Sequence, residues 1–230
     1  MIKRGIAHVG VFFYTCYRCS PCLCCFFCKI TILSALLRNW LSKKVVRQNL
    51  TQSFPEKSEA EIKTIEKKFF LYLAELIFEI IKMTSISKTE TLKRVKFTGL
   101  EQLEDHFKRG ESVLACTGHY GNWELGTLAL GLSISAKTMV IFKPIKNKIF
   151  ETWFDCMRTK YGNIFIAMRQ TLRGMAAYKN EPTLLCFASD QSPTREETKY
   201  FTDFLNQPTA ALLGVEKLQN RPKDRYITLR

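Results

Sequence analysis

Apolar side chains recur at two different periods along this chain. Ile62, Ile65, Phe69, Leu73, Leu76, Ile77, Ile80 and Ile81 follow helical spacing, with Lys and Glu between them. Ser58-x-x-Glu61 just ahead has the form of a capping box, so the pattern predicts a long amphipathic helix running to about Met83. A shorter helix over Leu100–Arg109 would end at Gly110, which suits a helix C-cap. Four apolar runs of strand length follow, at Ser112–Thr117, Thr138–Phe142, Ile164–Ala167 and Thr183–Ala188. Helical candidates at Trp123–Leu132, Asn147–Tyr161 and Thr171–Lys179 separate them. Strands alternating with helices of this size predict an α/β fold: a mainly parallel sheet with flanking helices, joined by right-handed crossovers.

Such a sheet says where to look for chemistry, because ligands bind beyond the carboxyl ends of parallel strands. The residues just past those ends are Gly118-His119, Lys143-Pro144, Met168-Arg169 and Ser189-Asp190-Gln191. A histidine, two cations and a carboxylate therefore share one rim. The densest stretch is Thr117-Gly118-His119-Tyr120-Gly121-Asn122-Trp123-Glu124, a Gly-flanked turn between strand and helix with a carboxylate five residues after the histidine. Gly118 and Gly121 would let the chain turn sharply and approach a substrate. A carboxylate on one imidazole nitrogen fixes the tautomer and leaves the other as a base near neutral pH. Equally, His119 fits a solvated loop histidine, with Glu124 placed to stabilise the helix dipole. His8 and His106 fall in an apolar stretch and on a polar helix, where structural or solvated roles are expected.

Charge and cysteine are distributed unevenly. Of 230 residues, 35 are Lys or Arg and 21 Asp or Glu, a net +14 that favours anionic partners: nucleic acid, acidic protein or lipid surfaces. Eight of those positive charges (Lys3, Arg4, Arg18, Lys29, Arg38, Lys43, Lys44, Arg47) lie in the first fifty residues, which contain no acid. They flank an apolar stretch from Gly5 to Leu37 rather than forming a basic stripe on a folded body, so lipid is favoured over nucleic acid. Residues 1–37 are expected to form a membrane-associated helix that spans the bilayer or lies in its interface, with Lys29 and Arg38 snorkelling. Six of nine cysteines (Cys16, Cys19, Cys22, Cys24, Cys25, Cys28) crowd into this stretch. Their CxxC spacings fit zinc, but the cluster lacks a distant second ligand pair, and cysteine also serves as a small apolar residue. Cys116, Cys156 and Cys186 are scattered singly and imply no disulfide framework.

The string HYGNWE (His119–Glu124), with its H-x4-E spacing, resembles the signature of the bacterial lipid A biosynthesis acyltransferases, late enzymes that add secondary lauroyl- or myristoyl-type chains to a lipid A precursor. Lys43–Leu50 with Ser53-Phe54-Pro55-Glu56, Phe142–Asn147, Arg158–Gly162, Ala188–Pro193, and Phe204-Leu205-Asn206 with Thr209-Ala210 resemble further family blocks in order, from about Arg38 to Leu218. The resemblance implies a glycerolipid-acyltransferase-like fold and a membrane anchor (1–37), an acyltransferase domain (38–218) and a basic tail (219–230). It implies His119 as general base, Glu124 as its orienting carboxylate, and Arg158 and Asp190 completing the catalytic set. Gly121, Asn122, Lys143, Arg169 and Gln191 become the candidate substrate-binding residues.

By the same resemblance the acyl donor is a thioester on acyl carrier protein and the acceptor an anionic glycolipid hydroxyl, with transfer on the cytoplasmic face of the inner membrane. No metal or other cofactor is required, and no nucleic acid takes part. The family pattern stops near Leu218, and the basic tail Gln219–Arg230, with Pro222, has no strand following it where the resemblance implies further sheet and helix. A shortened, non-catalytic remnant or lipid-binding protein of the same fold is therefore the alternative expectation, and a hydrolase using the same dyad a third.

Overall fold

The computed structural model describes residues 43–193, 196, 198–219 and 226–229. The expected anchor at 1–37 and its six cysteines lie outside the described residues. Among the described residues, no helix is long and apolar enough to cross a membrane. Two compact units are present: a helical one ending at Lys82 that also takes in Asp203–Thr209, and an α/β unit from Met83 to Thr202 that resumes at Ala210.

The helical unit is built from α1 (Lys43–Ser53) and α2 (Glu59–Met83). The capping box forms as expected, with the Ser58 N–H donating to Glu61 Oε2 at 2.9 Å and the Glu61 N–H to Ser58 Oγ at 3.4 Å. The buried face of α2 differs from the expected stripe by a rotation. Ile62, Glu66, Phe70, Ala74 and Leu76 are buried, whereas Phe69 is exposed together with Leu71 and Tyr72. The block Phe69–Ala74 is apolar throughout and cannot set its own phase. Glu66 enters the buried face because Arg47 of α1 pairs with it.

The α/β unit begins with α3 (Lys88–Arg94) and α4 (Leu100–Lys108). Then β1 (Ser112–Thr117), α5 (Trp123–Ser133), β2 (Lys137–Phe142), α6 (Lys148–Thr159) and β3 (Ile164–Ala167) alternate. A 3₁₀ turn at Met168–Gln170 leads into α7 (Thr171–Ala177) and β4 (Thr183–Ala188). Gly110, at φ +75°, closes α4 as expected of a C-cap. A hairpin, β5 (Phe201–Phe204) and β6 (Gln207–Ala210), is followed by α8 (Gly214–Gln219) and β7 (Tyr226–Leu229). The basic tail after Leu218 thus contains a strand of its own.

The main sheet has the order β3-β2-β4-β1-β7, every neighbouring pair parallel. Successive residues of its central strands face opposite layers. Leu114, Met139, Ile166 and Leu185 pack with Met175 of α7 and with Val215 and Leu218 of α8. Val113, Leu184 and Cys186 pack with Phe107 of α4, against Leu130 and Ile134 on the other side. Insertion of β4 between β1 and β2 makes β1 and β4 neighbours although some seventy residues of chain separate them. Thr117 pairs with Ala188 at their carboxyl ends.

Candidate active site

That register brings the site together. His119 lies two residues beyond Thr117 and Asp190 two beyond Ala188, so the two side chains leave adjacent strands at the same height. The Ser189 N–H still donates to Thr117 O at 3.0 Å, carrying the ladder to the edge of the site. Asp190 then grips His119 twice. Its Oδ2 accepts the His119 backbone N–H at 2.6 Å, and its Oδ1 lies 2.7 Å from ring Nδ1. Burial pushes the Asp190 carboxyl up, but the two bonds from His119 and the imidazole charge outweigh it and hold the group below its ordinary value. An ionised Asp190 accepts a proton-bearing Nδ1, which leaves Nε2 as the basic nitrogen. Trp123, on the first turn of α5, meets the imidazole edge to face with ring centroids 4.8 Å apart.

Close approach of Asp190 depends on Gly118, where an added Cβ would stand 3.1 Å from Asp190 Oδ2. Gly121 has φ +61°, a left-handed turn that glycine adopts without strain. Asn122 caps α5, its Oδ1 accepting the Leu125 N–H at 3.0 Å.

Glu124 does not orient His119 in this arrangement. Buried on the first turn of α5, it forms a bidentate pair with Arg158 from the last turn of α6. Arg158 Nε donates to Glu124 Oε2 at 2.8 Å and Nη2 donates to Oε1. The guanidinium is caged by Phe154, Phe165 and Phe142, with ring centroids 4.6, 5.3 and 5.9 Å from Cζ. A helix N-terminus favours the carboxylate and a helix C-terminus the cation, so both dipoles support the pair. The expected foursome therefore resolves into two couples, His119–Asp190 at the rim and Glu124–Arg158 beneath it. A partner four to six residues away is what a linear reading offers a histidine, and only the strand order reveals the nearer carboxylate.

The remaining candidates differ in how close they come. Lys143 follows β2, Arg169 follows β3 and Gln191 follows Asp190, all exposed at the carboxyl rim. Arg169, in the 3₁₀ turn, follows a strand three places from β1, roughly 14 Å away at sheet spacing. It can meet an extended ligand but not the imidazole. Among the described residues, no three His, Cys, Asp or Glu side chains gather as a metal site would require. A cavity of about 280 Å³ lined by Phe107, Lys137, Glu181 and Pro182 opens at the opposite rim, where β2 and β4 begin, and shares no residue with the dyad.

Comparison with known proteins gives this geometry a family. A model described as bacterial lipid A biosynthesis acyltransferase matches residues 1–229, extending at both ends beyond the 38–218 resemblance read from motifs. The chain is 22% identical over 198 residues to the lipid A biosynthesis acyltransferase of Haemophilus influenzae, covering 83% of this chain and 61% of that protein. It is 22% identical over 182 residues to the lipid A biosynthesis myristoyltransferase of Escherichia coli K12, covering 79% and 55%. With lipid A biosynthesis acyltransferase 2 of Shigella flexneri it shares 24% over 184 residues, covering 78% and 58%. The chain thus spans somewhat over half the length of these curated relatives. On a family match over nearly its whole length, this chain belongs to the bacterial lipid A biosynthesis acyltransferases.

Proposed function

We propose that the chain moves a fatty acyl group from a thioester on acyl carrier protein to a hydroxyl of an anionic lipid A precursor, with His119 as general base. The observation that carries this reading is the double grip of Asp190 on His119 at the carboxyl rim of a parallel sheet. With Nδ1–H donated to Asp190, Nε2 takes the acceptor's hydroxyl proton as the oxygen attacks the thioester carbonyl. The tetrahedral intermediate then collapses, the C–S bond breaks, and the imidazolium returns the proton to the leaving thiolate. General-base assistance of this kind contributes about 10²–10⁴ in rate. Asp190 holds the tautomer and stabilises the imidazolium, while the buried Glu124–Arg158 pair fixes α5 and hence the turn that carries His119. Lys143, Arg169 and Gln191, with Gly121 and Asn122 lining the turn, face the acceptor. An acidic carrier and a phosphorylated lipid both suit the chain's positive charge. The reading places the protein at the cytoplasmic face of the inner membrane, held by residues 1–37.

The test is transfer of a labelled acyl chain from acyl carrier protein to a lipid A precursor by the purified full chain. His119→Ala should abolish transfer. Undiminished transfer by that variant, or a folded wild type that transfers nothing, overturns the reading.

A further inference from the structure

Most positions of the turn from His119 to Glu124 are spent inside the fold. His119 bonds Asp190, Gly121 takes the left-handed bend, Asn122 caps α5, Trp123 meets the imidazole and Glu124 pairs with Arg158. Tyr120 is the exception. It is 94% exposed, more than any other large apolar side chain among the described residues. A lone exposed aromatic on an ordinary surface needs no explanation. This one adjoins the base, its Cα about 3.8 Å from that of His119, so its ring can reach whatever stands at Nε2.

The dyad itself is open to solvent. The His119 side chain is 27% exposed and that of Asp190 45%. Nε2 can therefore activate water as well as an alcohol, and water is far more concentrated. Hydrolysis balances as transfer does. The water oxygen bonds to the acyl carbon, the C–S bond breaks, the imidazolium returns its proton to the thiolate, and a free fatty acid leaves. Transfer thus requires that water be kept from the thioester, which closing a side chain over the substrate achieves.

Tyr120 is placed for this task. It follows β1, whereas Lys143 and Arg169, which the acyl-transfer reading gives to the acceptor, follow β2 and β3 on the far side of β4. A ring folding in from β1 covers the base and leaves the acceptor's approach open. Exposed side chains change rotamer within nanoseconds, so the movement itself is fast. Without an acyl chain the ring has nothing to pack against; with one, both apolar surfaces leave water together.

We propose that Tyr120 decides between acceptor and water. Its ring folds over the bound acyl thioester from the β1 side, so that Nε2 meets the acceptor hydroxyl rather than solvent. The inference rests on the acyl-transfer reading and adds to it a specificity-determining residue.

The experiment gives the full chain acyl carrier protein loaded with a labelled acyl chain, together with the lipid A precursor, and follows label into lipid and into free fatty acid. Tyr120→Ala should raise the ratio of free acid to acylated lipid several-fold at an unchanged melting temperature. Tyr120→Phe should keep the wild-type ratio. A ratio unmoved by Tyr120→Ala, even where both products fall together, overturns the proposal, since the residue would then only hold the turn. A Tyr120→Phe variant as leaky as Tyr120→Ala also overturns it, assigning the effect to the hydroxyl. A wild type that acylates no lipid brings down the acyl-transfer reading and this inference with it, whereas an unmoved ratio in a transferring enzyme brings down the inference alone.

Discussion

Two carboxylates flank the histidine turn, and their surroundings give them different work. Asp190 has a side chain 45% exposed and touches the imidazole, whereas the Glu124 side chain is 7% exposed and touches a guanidinium. Substitution should therefore separate chemistry from stability. Asp190→Asn should cut kcat by about 10²-fold or more, within the range of a lost general base, while costing less stability than loss of the buried Glu124–Arg158 pair. Glu124→Ala leaves a caged, unpaired Arg158 and should cost about 3–5 kcal/mol. At roughly 2–4 °C per kcal/mol for a chain of this size, calorimetry would show that loss directly. Gly118→Ala should resemble Asp190→Asn, since the new methyl crowds Asp190 Oδ2. The pH response follows from the depressed Asp190 carboxyl. A group whose pKa is lower folded than unfolded contributes stability above its unfolded value and loses it as pH falls through the folded one. The His119–Asp190 bond should thus persist throughout the neutral range and fail only below the ordinary carboxylate range, as loss of the bonded Nδ1 proton's NMR signal with falling pH would show. His119 and Asp190 were both visible in the sequence as rim residues. Their pairing was not, because it depends on which strands are neighbours.

At the level of single elements, the main-sheet periodicity was legible and the exceptions have local causes. The four apolar runs fold as strands with one changed boundary, β2 starting at Lys137 rather than Thr138. Helix α3 was overlooked because Lys88–Arg94 is polar, although Ser87 three residues before Glu90 marks its start, its side chain accepting the Glu90 N–H at 3.1 Å. The β5–β6 hairpin lacks the Asn-Gly pair that usually announces such a turn. Helix α5 shows how closely an element can be fitted. A Cβ at Gly131 would stand 1.7 Å from Asn163 Oδ1, and Asn163 is 4% exposed, with Nδ2 donating to Thr127 O at 3.0 Å. Gly131→Ala must expel the Asn163 side chain and break that bond, a loss of about 1–3 kcal/mol for overpacking a tight site. Urea unfolding should show a lower midpoint at unchanged slope. Asn163→Ala in the same chain should recover part of the loss, since the methyl then has room; additive losses would mean that the contact is not the cause.

At the scale of the whole molecule, the alternation of strand and helix patterns anticipated an α/β body, but neither the strand order nor what lies on the far side of β1. That edge is covered by β7, paired in the register Ser112↔Tyr226, Val113↔Ile227, Leu114↔Thr228 and Ala115↔Leu229. The basic, Pro-containing tail concealed a four-residue strand that has no amphipathic signature of its own. Its value lies in what it covers. β1 contains Val113 and Leu114, both fully buried, and would otherwise present an apolar edge with an unpaired row of N–H and C=O groups. Ending the chain after Gln219 removes the β1–β7 ladder but keeps β3-β2-β4-β1 and α8, whose Val215 and Leu218 complete one core layer. The shortened protein should still fold, since the β1–β4 register that joins His119 to Asp190 does not involve β7. It should melt several degrees lower and self-associate through the bared strand, with light scattering rising with concentration while the intact chain stays flat. Unchanged melting and scattering would mean that β7 adds nothing to the sheet in solution. Loss of the NMR signal of the bonded His119 Nδ1 proton in the soluble fraction would mean that the dyad needs more of the sheet than the two strands that carry it.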